Sequence, residues 1–513
     1  MINLPIKRLA ALLSGLLIPL ALAPFNLWPL AIIGVAIATW LNHTADNHKE
    51  AALLGWLFGA SYFGLGVSWI YGSMQTVETP FLLAAFLTIG FCLALALFFV
   101  FQFWFYYKFL KMLPFAVTTL APFWWVINEW IREWLLTGMP WLYTGYAAIN
   151  LPTGQLAAII GVYGLSLIFT LIACWLLSAV ILWASNRKKA LISAFAATLL
   201  FFLAYLSGSI YPAESWTHAG QTIQVAAVQS NIDQKLKWTE AQQMPTLRFY
   251  GQVLTKHGDV DLMLWPEAAM TRLEEEIPTY LGDVSAFASK HDMALLTGII
   301  THEDYTFFNA VKGYGNATGE YRKQHLVPFG EYIPLEKFLR GLIAFFDLPM
   351  SIMRPANQPQ TPVSATVKSQ PYFIAPIICY EAAYPNLVRN IAKTANLIAV
   401  VSNDAWFGDS IGPHQHLQIT RMRAIENGRP MIRATQNGIS ALVDANGKIL
   451  SRSQQFIETT LTGQLTLRSG FTPFQRYNTA LLPISLICII LIIWLVNLRL
   501  QVPHKPTASE NSN

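Results

Sequence analysis

The sequence predicts a polytopic α-helical membrane domain of about eight transmembrane helices, combined with an α/β domain outside the bilayer. Composition is the first reason. Hydrophobic residues make up 54% of the 513 residues and charged residues only 12%, whereas soluble domains carry roughly a quarter charged residues. The second reason is the placement of long apolar runs, which lie toward the two ends of the chain and leave a polar region of short apolar runs between them.

A helix needs about 20 mostly apolar residues to cross the hydrocarbon core of a membrane. Six runs come close to that length, and two shorter runs at the amino end, separated by Pro24, predict a tight pair of helices. The predicted spans are Leu9–Ala23, Trp28–Leu41, Ala51–Tyr71, Phe81–Tyr107, Phe115–Leu136, Leu156–Trp183, Leu191–Tyr211 and Leu481–Leu498. A cleaved signal peptide is the alternative for the first run, but no polar region follows it to be exported.

Basic residues in the short loops predict the orientation of these helices. A cytoplasmic amino terminus places eight of them inside, whereas the opposite short loops carry little beyond Glu78 and Arg132. The eight are Lys7, Arg8, Lys49, Lys108, Lys111, Arg187, Lys188 and Lys189. We therefore predict helices 1–7 in residues 1–211, an outer domain in residues 212–480, helix 8 in residues 481–498 and a cytoplasmic tail in residues 499–513.

A transporter is an alternative for a chain with so many predicted spans. Transporters usually carry ionisable groups near the middle of the membrane, and these spans are nearly free of them. The main exception is Glu129, Arg132 and Glu133, which lie near the outer end of one span among four tryptophans. We interpret this group as an interfacial aromatic belt with locally paired charges, so the sequence disfavours transport.

The polar region alternates short apolar runs with helix-like stretches such as Leu281–His291 and His414–Asn427, which favours a layered α/β domain. The predicted strands are Thr222–Val228, Leu262–Trp265, Ala294–Ile300, Phe373–Ile378, Leu397–Val401 and Ile439–Val443.

Cys379 is the one cysteine of this region, since the other three lie in predicted spans. A lone cysteine is more often a small buried hydrophobe than a nucleophile. It cannot form a disulfide within its own domain, however, and an unpaired thiol in an oxidising compartment is a liability unless it is used. Its placement therefore favours a reactive thiol.

Three stretches of the domain end in residues that can do chemistry. LMLWPE ends a strand at Glu267, YRKQHLVPFGE places Lys323 before a proline turn, and FIAPIICYE ends a strand at Cys379. A carboxylate can take the thiol proton, an ammonium can offset an oxyanion, and a thiolate can carry an acyl group. Each residue alone has an ordinary structural explanation, but three such strand ends in one domain predict a catalytic site.

In this order the three stretches resemble the nitrilase superfamily, whose Glu-Lys-Cys triad sits in an α-β-β-α sandwich. With the predicted spans around it, nearly the whole chain resembles the bacterial apolipoprotein N-acyltransferases. The resemblance implies that Glu267 is the general base, Lys323 the oxyanion-stabilising residue and Cys379 the acyl-carrying nucleophile. It implies supporting roles for Trp238, Glu331, Tyr380 and Glu381.

The resemblance also implies an activity. Members of that family move a fatty acyl chain from a phospholipid to the α-amino group of a lipoprotein's terminal diacylglyceryl-cysteine. We therefore expect a phospholipid donor, a diacylated apolipoprotein acceptor, and a monomer in the bacterial inner membrane with its catalytic domain on the periplasmic side. We expect no nucleic acid, cofactor or metal, because His414 and His416 lack the further ligand that zinc sites need.

One further stretch suits a lipid substrate. Pro334–Met353 carries apolar residues at helical spacing directly after Glu331, which predicts an apolar arm that touches the outer leaflet and admits an acyl chain. A helix packed on its own domain would show the same pattern.

Two other functions fit the sequence. A membrane-tethered amidase or nitrilase would use the same triad with water in place of the amine, and its isolated domain would act on soluble amides. A transporter or assembly scaffold with an inactive enzyme-like domain would keep its function after Cys379→Ser.

Overall fold

The computed structural model describes residues 4–76, 78–328, 330–332 and 353–501. Residues 334–352 of the predicted apolar arm and residues 502–513 of the predicted tail lie outside this part. The helices before the first strand are α1 (Leu4–Ala21), α2 (Pro29–His43), α3 (His48–Gly66), α4 (Trp69–Thr76), α5 (Phe81–Leu95), α6 (Leu97–Phe105), α7 (Ala121–Trp134), α8 (Ala157–Leu182) and α9 (Arg187–Ile210).

Several helical segments are long and apolar enough to cross a membrane, which makes the chain a membrane protein. In the described part of the chain there are five, and α3 with α4 would make a sixth although the chain bends by 53° between them. The other two predicted spans correspond to α2, an apolar helix of 15 residues, and to α7, which has 14. The number of eight crossings therefore stays a prediction. The five segments are Leu4–Ala21, Phe81–Leu110, Pro152–Leu182, Arg187–Ile210 and Leu481–Leu500.

Two of the three charged residues on α7 lie inside the protein and the third, Glu133, is half-buried, so the interpretation of the group as an interfacial belt of paired charges is wrong. Glu129 and Arg132 are only 1% and 3% exposed. The Glu129 carboxylate accepts hydrogen bonds from the amide and the hydroxyl of Thr144, both at 2.8 Å, and Arg132 donates to the Tyr62 hydroxyl at 3.3 Å. This face of α7 packs on neighbouring segments of the protein, and the charges find neutral partners there.

The remainder of the chain forms two sheets with covering helices. Its strands are β1 (Thr217–Gln229), β2 (Leu262–Leu264), β3 (Ala294–Glu303), β4 (Thr306–Gly315), β5 (Ala317–Thr318), β6 (Glu320–Arg322), β7 (Val363–Val367), β8 (Gln370–Ile378), β9 (Leu397–Ser402), β10 (Met431–Thr435), β11 (Ala441–Val443), β12 (Ile449–Arg452) and β13 (Thr459–Gly470). Its helices are α10 (Glu240–Lys256), α11 (Pro278–Lys290), α12 (Pro385–Ala392), α13 (Gly412–Asn427) and α14 (Pro473–Arg476), and α15 (Leu481–Gln501) follows.

The strand order is β13-β1-β2-β3-β4-β6 in the first sheet and β12-β11-β10-β9-β8-β7-β5 in the second. The central strands β1, β2 and β3 are parallel, as are β8, β9 and β10. Successive residues of a strand point to opposite faces. Val225 and Ala227 share a core cluster with Val400 of the other sheet, whereas Ala226 packs with residues of α10 and α11 such as Leu254. With α12 and α13 on the second sheet, the predicted α-β-β-α sandwich is confirmed.

All six predicted strands lie within or overlap observed strands. The sequence missed seven others, and β10 shows why. Every residue of β10 is buried, but Arg433 interrupts its apolar run and hides the strand from a hydrophobicity pattern. The edge strand β13 alternates weakly between partly buried and exposed residues, so it also lacks a continuous apolar run.

Helix α13 joins the sandwich to the membrane helices. The chain leaves helical geometry at Gly161, where φ is 65°, and this break frees the amide of Val162. That amide donates to the Glu426 carboxylate at 2.9 Å, and the Trp141 indole donates to the Gln415 side chain at 2.8 Å. The sheet that carries Cys379 is therefore fixed against the membrane domain through α13.

Candidate active site

The three candidate catalytic residues follow three strands. Glu267 comes three residues after β2, Lys323 directly after β6 and Cys379 directly after β8. Side chains leave the packed interior at the carboxyl ends of parallel strands, where chemistry collects in such folds. Gly298 of β3 allows the turn before Glu267 to approach, because a Cβ there would lie 2.4 Å from the Pro266 carbonyl oxygen.

Groups from both sheets hold the Glu267 carboxylate, which is 7% exposed. Asn309 of β4 donates from Nδ2 to Oε1 at 2.7 Å. The amide of Asn403, directly after β9, donates to Oε2 at 2.8 Å, and the Lys323 ammonium lies 3.4 Å from Oε1. These contacts fix the carboxylate between the two sheets.

Lys323 is a buried cation between two carboxylates. Its Nζ lies 2.8 Å from Oε2 of Glu331 and 3.4 Å from Oε1 of Glu267, and Asn309 bridges both acids with a second bond of 3.0 Å to Glu331. Burial alone would lower the pKa of Lys323, but the charges of Glu331 and Glu267 outweigh burial and raise it. The side chain therefore stays charged and can offset negative charge that develops beside it.

Cys379 occupies the elbow between β8 and the short 3₁₀ turn Cys379–Ala383, with a left-handed φ of 52°. Burial raises the pKa of its thiol, the charge of Glu267 raises it further, and Lys323 and a hydrogen bond with Ser402 act in the opposite direction. The charges of Glu267 and Lys323 thus change the pKa of this thiol in opposite directions. A thiol whose pKa is raised needs a base before it can attack.

Glu381 joins the two segments that carry Lys323 and Cys379. Its carboxylate is fully buried and accepts the amide N–H of Ile378 at 2.9 Å on one oxygen and that of Gln324 at 2.6 Å on the other. Burial raises the pKa of Glu381 to about 7, although these bonds and the charge of Lys323 oppose the change. The residues before Cys379 and after Lys323 therefore share one acceptor.

Tyr380 connects the site to the membrane domain. Its hydroxyl donates to the Gly138 carbonyl at 3.2 Å, and its ring stacks on Trp141 with 6.3 Å between centroids. The Tyr384 hydroxyl donates to the Thr137 carbonyl at 3.2 Å. The loop after α7 thus lies against the two tyrosines that follow Cys379.

Trp238 is the most exposed of the predicted site residues, at 39%, in the loop between β1 and α10. Its neighbour Lys237 is 1% exposed and donates from Nζ to the Glu267 carbonyl at 3.2 Å. Burial lowers the pKa of Lys237 to about 8, and the charge of Glu267 opposes this change. The structure therefore brings Glu267, Lys323, Glu331 and the Cys379–Glu381 turn together and leaves Trp238 at the periphery.

Sequence reasoning did not predict the contacts that three polar residues make with Glu267, namely Asn309, Asn403 and Lys237. Asn309 lies within an antiparallel strand that the sequence did not reveal, and Asn403 acts through its backbone amide. Lys237 had a signal, because it directly precedes Trp238 in the sequence. Across residues 4–76, 78–328, 330–332 and 353–501, no three side chains of the metal-binding types are grouped to hold an ion.

Two family models match the chain. The model described as Carbon-nitrogen hydrolase matches residues 224–470, and the model described as Apolipoprotein N-acyltransferase N-terminal domain matches residues 14–175. The chain is also similar to a carbon-nitrogen hydrolase from Helicobacter pylori G27, at 19% identity over 48% of this chain and 89% of that one, with a TM-score of 0.36. A TM-score this low carries no weight in deciding the family of the chain.

Relatives that match along nearly their whole length are named apolipoprotein N-acyltransferase. The apolipoprotein N-acyltransferase of Pseudomonas aeruginosa strain LESB58 is 39% identical over 500 residues, which cover 95% of each chain. That of Azotobacter vinelandii is 40% identical over 499 residues, 95% of this chain and 94% of the relative. The resemblance that the motifs predicted is confirmed, and the chain belongs to the apolipoprotein N-acyltransferase family.

Proposed function

We propose that this protein transfers a fatty acyl chain from a membrane phospholipid to the α-amino group of an apolipoprotein's terminal diacylglyceryl-cysteine, through a thioester on Cys379. The position of Cys379 carries the proposal. Glu381, two residues after Cys379, accepts the amide N–H of Gln324 beside Lys323 at 2.6 Å, and Tyr380 bonds to the loop after α7 at Gly138. A nucleophile at this junction meets a substrate that arrives from the membrane.

In the first half-reaction Glu267 takes the proton of the Cys379 thiol, and the sulfur attacks the ester carbonyl of the phospholipid. Lys323 stabilises the oxyanion that forms. The tetrahedral intermediate collapses with cleavage of the carbon–oxygen bond, and Glu267 returns its proton to the lysophospholipid oxygen. The acyl group is then a thioester on Cys379.

In the second half-reaction the neutral amine of the apolipoprotein attacks the thioester carbonyl. Glu267 takes the proton that the nitrogen loses, and Lys323 again stabilises the oxyanion. Collapse breaks the carbon–sulfur bond, forms the amide, and leaves a thiolate that recovers the proton. The predicted apolar arm, outside the described residues, would keep water away from the thioester.

The proposal includes the membrane arrangement. Residues 1–211 hold helices 1–7, residues 212–480 form the periplasmic catalytic domain, residues 481–498 form helix 8 and residues 499–513 a cytoplasmic tail, in a monomer of the bacterial inner membrane. A cysteine introduced by Tyr305→Cys, at a side chain that is 95% exposed, is expected to react with an impermeant maleimide in spheroplasts. One introduced by Lys188→Cys should react only after lysis, and the opposite pattern would overturn the orientation.

Acyl transfer to a synthetic diacylated lipopeptide by purified protein tests the function. The parent is expected to produce triacylated lipopeptide and lysophospholipid in equal amounts, and Cys379→Ala is expected to produce neither. Release of free fatty acid with no triacylated product would instead support the hydrolase alternative. Full transfer by Cys379→Ala would contradict the proposal.

A further inference from the structure

His416 lies directly behind the nucleophile and has no part in the chemistry described above. It is completely buried on α13, and its Nε2 lies 3.1 Å from the carbonyl oxygen of Cys379. A carbonyl oxygen only accepts hydrogen bonds, so Nε2 carries the hydrogen and donates it. The contact is to the backbone of the residue whose side chain is the proposed nucleophile.

The other ring nitrogen, Nδ1, lies beside two buried polar side chains. It is 3.1 Å from Oδ1 of Asp404 and 3.1 Å from Nη2 of Arg433. Arg433 donates to Oδ2 of Asp404 at 2.8 Å, and the Ser402 hydroxyl donates to Oδ1 at 2.7 Å. Burial and the charge of Arg433 lower the pKa of His416, which favours the neutral ring with Nδ1 as the acceptor from Arg433.

Cys379 is a residue whose backbone needs such support. Its φ of 52° lies in the left-handed region, where a side chain with a Cβ is disfavoured and persists only when its surroundings hold it. The bond from His416 fixes the Cys379 carbonyl. In a trans peptide the carbonyl and the next N–H point in opposite directions, so the same bond also sets the direction of the Tyr380 N–H.

We propose that His416 is a positioning residue, whose bond to the Cys379 carbonyl holds the left-handed elbow that presents the thiol to Glu267 and Lys323. Arg433, which donates to Nδ1 and is itself held by Asp404, orients the imidazole for this bond. The inference rests on the proposed function, because it assigns His416 to the formation of the thioester. It also gives a role to one of the two histidines for which the sequence predicted no metal.

Two substitutions whose side chains differ in length distinguish this positioning role from a role in packing alone. In His416→Gln the amide nitrogen can occupy the place of Nε2, whereas in His416→Asn it reaches only the place of Nδ1. We expect His416→Asn to form the thioester from phospholipid about 100-fold more slowly, as misplacement of a reacting group predicts, and His416→Gln within about fivefold of the parent. The phospholipid concentration at half-maximal rate should stay unchanged in both.

His414→Asn is the matched control, because His414 is a half-buried residue two positions earlier on α13. We expect this variant to form the thioester at the parent's rate. The inference is overturned if His416→Asn keeps the parent's rate, if both His416 variants lose it equally, or if the loss only matches the fraction of unfolded protein seen by thermal melting. If the parent itself forms no thioester on Cys379, the proposed function fails and the role of His416 fails with it.

Discussion

Two groups of buried charges lie on the two sides of the junction between the sandwich and the membrane domain, and they differ in their partners. The site cluster consists of Glu267, Lys323 and Glu331. The α7 cluster consists of Glu129, Arg132 and Glu133. Each holds two acids and one base, so composition alone would treat them as equivalent.

In the site cluster the charges face one another, although Glu267 is 56 residues from Lys323 in the sequence. The Lys323 ammonium lies within 3.4 Å of both carboxylates. In the α7 cluster the charges are neighbours in the sequence but turn to neutral groups, such as the Thr144 hydroxyl and the Tyr62 hydroxyl. The charges of the site cluster can stabilise a charge that forms beside them during a reaction. Those of the α7 cluster hold neighbouring loops in place.

The largest effect is expected from Glu267→Gln, because the amide keeps the shape of the side chain but cannot take the thiol proton. Thioester formation from phospholipid should fall by roughly 1,000-fold. The matched variant in the other cluster, Glu129→Gln, retains an acceptor for Thr144 and should stay within about threefold of the parent. Equal losses of the rate of thioester formation in the two variants would contradict the different roles of the two clusters.

The next largest effect is expected from Lys323→Met, which removes the cation and leaves two buried carboxylates facing each other. Thioester formation should fall by about 100-fold or more. Thermal melting in detergent should also occur at a lower temperature, because a buried charge pair has lost one partner. A variant with the parent's rate and melting temperature would show that Lys323 neither stabilises the oxyanion nor balances the acids.

A smaller effect is expected from Lys237→Met, which keeps most of the side-chain volume but removes the donor to the Glu267 carbonyl. The rate of thioester formation should fall by roughly tenfold, the size expected for one charge-assisted hydrogen bond. The same measurement on Lys235→Met is the control, since Lys235 pairs with the exposed Glu78 at 2.8 Å. Equal rates for the two variants would show that Lys237 does not contribute to the site.

The last effect is on stability and not on rate, and it concerns the pH dependence that Glu381 causes. Burial raises the pKa of Glu381 from 4.5 to about 7, so the folded protein holds this proton more tightly than the unfolded chain does. The stabilisation is fully present below pH 4.5 and is lost as pH rises through 7, by at most about 3 kcal/mol. Glu381→Gln cannot titrate, so its melting temperature should fall less than the parent's between pH 5 and pH 8. Identical falls would contradict the buried position of this carboxylate.

The layered α/β domain and its strand ends were predictable because the central parallel strands are nearly continuous apolar runs. Such runs are typical of strands buried on both faces, and the residues that end β2 and β8 are therefore visible in the sequence. The three motifs, in their order, then resembled a known superfamily, and that resemblance implied the sandwich. This reasoning reaches Glu267, Lys323 and Cys379 without coordinates.

The supporting contacts were not predictable, because they leave no mark on the pattern of apolar residues. Asn403 and His416 act on or through backbone groups, which carry no sequence signal. Arg433 hides a fully buried strand because one charge breaks its apolar pattern. The α7 charges resembled a membrane interface, and only the packing of their helix face against other segments shows that they are internal.

The most direct test of the account is the mass of peptide 369–389 after the purified protein is mixed with phospholipid alone and digested with trypsin. We predict that this peptide, which contains Cys379 as its one cysteine, gains the mass of one acyl chain and loses it when diacylated lipopeptide is added. An enzyme that acylates the lipopeptide at full rate while this peptide never gains acyl mass would contradict the account.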